Sequence, residues 1–376
     1  MKNVVICGSQ LKQVEAYADS IYACQIDGAT LNCGVIDTPD TIFDKHTPKN
    51  KNAVFVHIKA FSLNYRDKNF IFSMLKKNAE NGYFAIGSDF AGEVIETGSE
   101  VRTLSVGDTV IGNNHYRGVE FGANHMTQGI PSSHAGKEYH VFQESRLIKI
   151  PDNISTVTAA AFSVCAQTAY SIVRKLNIKA GGNILITAAR SNTSLFVLNA
   201  LRQYPVNITM TTTSTGYEQQ IKAMGAKEVI QIDPTLDSLA RNEALSAIAM
   251  QMGRFQGVVD PFYDLHLDKV TDLMAPGGKY ITCGLHEQHP DMIGQTSAKL
   301  ESNLNKVMMA AIFNNLEIIG NCLGQTEDLV AAVEDHANGL FNVAVDCVFT
   351  GQEVVAFIDR TYNAQDRLGK VVFAFN

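Results

Sequence analysis

The residue types best suited to chemistry lie in ILITAARSNTSL, from Ile184 to Leu195. Apolar, partly β-branched residues Ile184 to Thr187 follow a Gly181-Gly182 turn; small and polar residues come next, then apolar Leu195 to Leu198 and Leu201. Strand, tight turn and helix, in that order, present backbone amides and a helix N-terminus to an anion such as a pyrophosphate. Glycine normally fills such a turn, yet here Ala188, Ser191 and Ser194 stand where a G-x-x-G-x-x-G series is expected. Small side chains still allow close backbone approach, so Ala189, Arg190, Ser191, Asn192, Thr193 and Ser194 are candidate phosphate ligands, the serines as hydroxyl donors. The next strand, Ile208 to Thr211, runs into Thr212, Thr213, Ser214 and Thr215, with no Asp or Glu until Glu218. An NAD unit places a carboxylate on the ribose hydroxyls roughly 20 residues past the glycine turn. Hydroxyls from Thr212, Thr213 and Ser214, with Arg190 and Lys222 nearby, suit a 2′-phosphate and point to NADPH. The alternative is a threonine-rich strand edge beside a solvated Arg190.

Other chemistry-bearing residues are less organised. His115, His125, His134 and His140 have spacings that fit no compact ligand pair and read as solvated loop histidines. His286-Glu287-Gln288-His289 is one residue short of H-E-x-x-H, follows a strand, and reads as loop. The cysteines, Cys7, Cys24, Cys33, Cys165, Cys283, Cys322 and Cys347, include no C-x-x-C pair. Neither a disulfide framework nor a zinc cluster is suggested, and they read as small buried apolar residues.

These groups need a scaffold, and 376 residues are long for one core, which predicts two domains. With 31 basic and 38 acidic residues the net charge is −7, which offers no electrostatic footprint for nucleic acid or an anionic membrane. The longest near-apolar stretch, Ala159 to Ala166, is too short to span a bilayer, and Val4 to Cys7 is too short for a secretion signal. A soluble, cytoplasmic protein is expected. Residues 1 to 150 read as β-rich, with short strands such as Val4 to Cys7, Val54 to Ala60, Glu93 to Glu96, Thr109 to Ile111 and Tyr139 to Phe142. From about 155 the period changes. Helical stretches Val157 to Val173, Leu195 to Leu201 and Leu236 to Met250 alternate with strands Ile184 to Thr187, Ile208 to Thr211, Val229 to Ile232, Val258 to Pro261, Tyr280 to Cys283 and Leu316 to Gly320. Six strands alternating with helices predict an α/β, doubly wound parallel sheet. The tail holds a helix, Glu327 to His336, and returns to strands that complete the first domain. The expected domains are 1–153 with 323–376, and 154–322.

Several segments together resemble the medium-chain dehydrogenase/reductase superfamily: FSLNYRD at 61–67, IGSDFAGEVIETGSEV at 86–101, VGDTVIG at 106–112, KEYHVF at 137–142, AAAFSVCAQTAYSIV at 159–173, AMGAKEVI at 223–230, APGGKYITCG at 275–284 and LGKVV at 368–372. They run in the family's order over nearly the whole chain, and LNYRD and GSDFAGEV are most similar to the zinc-free quinone oxidoreductase and enoyl reductase branch. The resemblance implies a GroES-like catalytic domain, a Rossmann nucleotide-binding domain and a homodimer. Zinc-dependent members take a Cys from the first-domain loop, a His from a GHE motif and a Cys before the TAY segment. The matching positions here are Asn64 to Arg66, Gly87-Ser88-Asp89 and Val164, with Cys165 one place displaced. Zinc wants three protein ligands and an open position, so no metal is expected.

Without a Lewis acid, alcohol oxidation is disfavoured, whereas reduction of an activated C=C bond or a quinone runs metal-free. The protein must then hold a carbonyl and supply a proton. The resemblance puts the 61–67 loop beside the nicotinamide. Tyr65 is the candidate proton donor, Asn64 orients the nicotinamide or substrate carbonyl, and Asp67 positions them; Asp67 as a loop cap and Tyr65 as interface packing are the alternatives. The resemblance also places Thr168 against the nicotinamide, with helix packing as its alternative, and offers Gly284 and Leu285 to the carboxamide. Met308-Met309 reads as core more than as substrate lining. The substrate is a small or peptide-borne unsaturated molecule: a quinone, an enone, an enoyl thioester or a dehydroamino acid. Two other readings stay open, a non-catalytic nucleotide-binding or structural relative and a zinc-type, alcohol dehydrogenase-like carbonyl reductase.

Overall fold

The computed structural model describes residues 1–77, 82–115, 134–286 and 303–375. His125 and Glu287 to His289 lie outside the described residues. The chain divides into two compact units, one of Met1–Val164, Gln325–Asn338 and Val343–Asn376, the other of Cys165–Gly324 and Gly339–Asn342.

The first unit begins with β1 (Lys2–Cys7), β2 (Ile21–Ile26), β3 (Ala29–Asp37), β4 (Ala53–Ser62), α1 (Asp67–Lys77), β5 (Tyr83–Ala85), β6 (Asp89–Thr97), β7 (Thr109–Gly112), β8 (Tyr139–Gln143), β9 (Leu147–Lys149) and α2 (Thr156–Ala159). Next come α3 (Ser163–Leu176), β10 (Asn183–Ile186), α4 (Asn192–Leu201), β11 (Asn207–Thr212), α5 (Glu218–Ala223), β12 (Glu228–Gln231), α6 (Glu243–Met252), β13 (Phe255–Asp260), α7 (Tyr263–Val270), β14 (Met274–Thr282), α8 (Leu304–Asn314) and β15 (Glu317–Gly320). The chain closes with α9 (Thr326–Ala337), β16 (Val345–Thr350), α10 (Val354–Tyr362) and β17 (Lys370–Ala374).

In the first unit one sheet runs β2-β3-β1-β5 and a second runs β16-β17-β4-β6-β7-β9, with β8 on β4. The tail strand β17 pairs antiparallel with β4, Val372 opposite Ser62. Residues along β4 alternate: Val54, Val56 and Ile58 are buried with Phe61, Phe90, Phe357 and Phe373, while Phe55, His57 and Lys59 are half-buried on the other face. This is the period of two that one-sided burial demands.

The second unit is a six-stranded parallel sheet in the order β12-β11-β10-β13-β14-β15, the doubly wound arrangement expected from the strand and helix alternation. All four residues of β10 are buried, as in a parallel strand covered on both faces. Leu185, Val258 and Tyr280 of this sheet pack against Leu245 and Val270. Two expected helices are shorter than their apolar patterns. Ser155 caps the start of α2 by accepting from the Thr158 amide, and α2 is a single turn before α3; Asn242 caps α6 by accepting from the Leu245 amide, so that helix starts seven residues after Leu236. No helix among the described residues is long and apolar enough to cross a membrane.

Candidate functional site

In the second unit the strand order reverses between β10 and β13, and the chain leaves β10 at its carboxyl end through Thr187 to Ser191 into α4. Ligands of open α/β sheets bind at such a reversal. Ala188 takes φ +48°, a left-handed conformation that an alanine adopts at about 1–2 kcal/mol and a glycine adopts freely. The turn therefore keeps a glycine-like backbone without glycine. The Ser191 amide bonds the Ala188 carbonyl at 2.8 Å, and the buried Ala189 donates its amide to Thr211 at 2.8 Å. Ser191, at the N-cap of α4, makes no side-chain capping bond, which suits a first turn that receives an anion. Asn192 and Thr193 follow it, half-buried.

The serines do not act alike. Ser194 is buried and gives its hydroxyl to the Thr187 carbonyl at 2.8 Å, so it shapes the turn and is not a phosphate donor, contrary to the expectation from its spacing. Arg190 Nη1 reaches Ser214 Oγ at 3.0 Å, and its guanidinium lies 4.7 Å over the Tyr217 ring. Thr212 Oγ1 accepts from the Ser214 amide at 3.1 Å, and Thr213 is exposed. Glu218 Oε2 accepts from the Gly216 amide at 3.1 Å, and Lys222, expected beside Arg190 as a second cation for the phosphate, instead pairs with Glu228 at 2.8 Å. An N-cap without a side-chain cap and a guanidinium beside serine and threonine hydroxyls fit the phosphates of a dinucleotide. Thr168 is buried in α3, and the Gly284 carbonyl already accepts from the Tyr263 amide and the Thr282 hydroxyl, both at 3.3 Å; Leu285 is half-buried. Met308 and Met309 are exposed on α8, together with Ile312 and Phe313, and are not core, contrary to the expectation.

In the first unit Asn64, Asp67, Ser88, Asp89 and Lys370 form one buried network. The Asn64 amide donates to Ser88 Oγ at 2.8 Å and to Asp89 Oδ2 at 2.7 Å, while its oxygen accepts from Lys370 at 2.8 Å. Lys370 also donates to Asp89 Oδ2 and to the Leu63 carbonyl, each at 3.0 Å. Asp89 Oδ1 accepts from the Val164 amide at 2.7 Å, near the start of α3. Ser88 Oγ donates to Asp67 Oδ2 at 2.7 Å, and the Asn64 amide N–H donates to the same oxygen at 2.8 Å. Asp67 thus opens α1 as a capping carboxylate, and Asn64 is the hub of the network. Tyr65 is the outlying member: half-buried, its ring 4.4 Å beneath the Lys68 ammonium, which binds both Asp27 oxygens at 2.7 Å. Lys68, Asp27 and Lys370 went unrecognised in the sequence. Lys370 lies inside LGKVV, but no spacing signals a partner nearly three hundred residues away.

Burial pushes the Asp67 carboxyl up to about 6, against the pull of Arg66 and of the bonds from Asn64 and Ser88. An unfolded chain loses this proton near 3.8, so the stability held by the neutral form falls as pH rises from 3.8 towards 6, by roughly 3 kcal/mol in all. Asp67→Asn keeps an oxygen for both bonds and has no such slope. Its melting temperature is expected to gain on the wild type between about pH 4 and about pH 7. A difference that stays constant over that range would remove Asp67 as the titrating group.

The loop histidines are corrected as well. His140 lies on β8 with its ring 5.8 Å from His134 and 4.7 Å from Phe142, and His134 meets Phe84 at 5.6 Å. Burial, with Lys137 nearby, pushes His134 down to about 4 and His140 to about 3. They are half-buried, neutral packing groups rather than solvated ones. His115 is half-buried and its carbonyl accepts from Arg146 at 3.3 Å. Among the described residues no group of three or more His, Cys, Asp or Glu is placed to hold a metal ion.

The alcohol dehydrogenase GroES-like domain family matches residues 50–152. The chain is 33% identical over 117 residues to the mouse (Mus musculus) quinone oxidoreductase-like protein 2, covering 31% of this chain and 29% of that one. It is 29% identical over 141 residues to the 2-methylene-furan-3-one reductase of Solanum lycopersicum, covering 37% of this chain and 34% of that one. It spans about a third or less of the length of the curated relatives that it matches first. A solved NAD-dependent alcohol dehydrogenase shares the fold over 100% of both chains, with a TM-score of 0.73 at 20% identity.

Proposed function

We propose that this chain, which belongs to the medium-chain dehydrogenase/reductase superfamily, is an NADPH-dependent oxidoreductase that transfers hydride to an activated C=C bond or a quinone without zinc. The observation that carries this reading is the buried network of Asn64, Ser88, Asp89 and Lys370. By the resemblance, Asn64 and Ser88 stand at positions that hold zinc in the metal-dependent branch. Asn64 and Ser88 bond each other and their neighbours, and the Val164 amide is bound by Asp89. A tetrahedral zinc site draws three protein ligands from Cys, His or carboxylate side chains, a set these positions do not supply. An alkoxide would have no Lewis acid here, whereas a quinone or a conjugated alkene is electron-poor by itself. When bound, NADPH supplies the hydride. The protein's task is to orient the acceptor carbonyl and to deliver a proton. Tyr65 suits the delivery, because Asn64 and Asp67 use their polar groups to hold the loop from which it projects. A cytoplasmic homodimer belongs to the same reading.

Left-handed Ala188 weighs against a structural relative that has lost nucleotide binding, since it gives the glycine-free turn a glycine-like backbone. The test follows NADPH oxidation with a quinone, an enone and an enoyl thioester, before and after treatment with a chelator. Turnover of at least one acceptor that survives chelation is expected. Activity lost with the metal and restored by zinc would overturn the proposal, as would failure to bind either reduced dinucleotide. For cofactor choice, Arg190→Ala is expected to weaken NADPH roughly tenfold to a hundredfold, the worth of a charge-assisted bond to the 2′-phosphate, and to leave NADH unchanged. Titration of both reduced cofactors checks this, and equal losses for the two would return Arg190 to packing on Tyr217.

A further inference from the structure

We infer that Thr187 and Asp260 clamp the dinucleotide turn, holding Ala188 in its left-handed conformation where a glycine would need no support. This rests on the reading of the second unit as a dinucleotide-binding domain. Thr187 is held at three atoms. Its amide continues the sheet by donating to the Val259 carbonyl at 3.0 Å, its hydroxyl donates to Asp260 Oδ1 at 2.7 Å, and its carbonyl accepts from Ser194 at 2.8 Å. Ala188 follows at φ +48°. A residue fixed on its amide, side chain and carbonyl leaves the next one little freedom, so strain at Ala188 persists only because its neighbour is over-determined.

Asp260 is itself anchored. It lies at the end of β13, fully buried, on the strand that pairs with β10 where the sheet order reverses. Its Oδ1 also accepts from the Phe262 amide at 2.9 Å and meets His266 Nδ1 at 2.9 Å, and its Oδ2 accepts from the Tyr280 hydroxyl. Burial works to raise the carboxyl, but His266 and the Tyr280 and Thr187 hydroxyls outweigh it and hold Asp260 below the usual carboxylate range. A carboxylate bound from β14 and α7 is a rigid post, and Thr187, just past β10, ties the turn to it. Asp260 and Thr187 are positioning residues in this scheme, since they act on the dinucleotide through the turn.

The test is a set of NADPH titrations, read by nucleotide fluorescence, on the full chain and four variants: Thr187→Val, Thr187→Ser, Ala188→Gly and the Thr187→Val/Ala188→Gly pair. Thr187→Val is expected to raise the Kd about tenfold, and Thr187→Ser, which keeps the hydroxyl, less than about threefold. With glycine at 188 the same Thr187→Val change is expected to raise the Kd about twofold or less, because the strain that needs the clamp is gone. Wild-type affinity in Thr187→Val, or equal losses in both backgrounds, would overturn the clamp while leaving the function standing. A wild-type chain that binds neither NADPH nor NADH would remove both. If Thr187→Val does not fold, Ala188→Gly alone decides: a raised melting temperature is required, and an unchanged or lowered one overturns the inference.

Discussion

Tyr65→Phe is expected to lower kcat about a hundredfold, with kcat/KM falling by the same factor and the melting temperature nearly unchanged. A positioned general acid contributes on the order of 10²–10⁴ to the rate, and the lower end suits a neutral phenol. The ring remains in the variant, so its packing 4.4 Å beneath Lys68 is kept and only the hydroxyl is lost. Equal falls in kcat and kcat/KM mark an interaction made only in the transition state, whereas a change in KM alone would mean uniform binding. Steady-state rates with whichever acceptor the enzyme reduces, together with a melting curve, check both halves. Unchanged kcat would make Tyr65 a packing partner of Lys68 and move proton delivery to another group.

The second large effect concerns folding. Lys370→Met is expected to destabilise the protein by about 3–5 kcal/mol, because it leaves the buried Asp89 carboxylate without its cation and the Asn64 oxygen without a donor. Both Lys370 and Asp89 have side chains with 0% exposure, so water cannot replace the lost partner. For a chain of this size that corresponds to a fall in melting temperature of roughly 4–6 °C. Adding Asp89→Leu to Lys370→Met removes the orphaned charge and is expected to recover part of the loss, less what the Val164 amide forfeits. Thermal melts of the single and double variants decide the matter: a loss under about 1 kcal/mol for Lys370→Met would show that the pair is not needed for folding.

The two readings differ in what they ask of one loop. Asn64 and Tyr65 are adjacent, yet Asn64 bonds inward to Lys370, Ser88 and Asp89 while Tyr65 stays half-buried. A variant at Asn64 is therefore expected to lower stability and turnover together, since the same amide holds the network and the loop. This separates a positioning residue from one that acts on the substrate directly.

What the sequence alone determined is local in its physics. The switch from period two to strand-helix alternation near residue 155 predicted the doubly wound sheet, since that pattern depends only on which side of each segment is buried. The run Thr212 to Ser214 without a carboxylate, and the turn without glycine, were equally plain, because backbone and cofactor chemistry act on neighbours in the chain. Tertiary structure decided how the polar residues are used. Lys370 meets Asn64 across 306 positions and Asp89 across 281, and nothing within a helical turn or strand of any of them encodes that meeting. Ser194 spaced itself like a phosphate donor yet turned inward to Thr187, and His140, expected as solvated, packs half-buried against Phe142. A polar side chain goes where its bonds can be completed in the low dielectric of the interior. The partner that completes them comes from whichever distant segment the fold brings alongside.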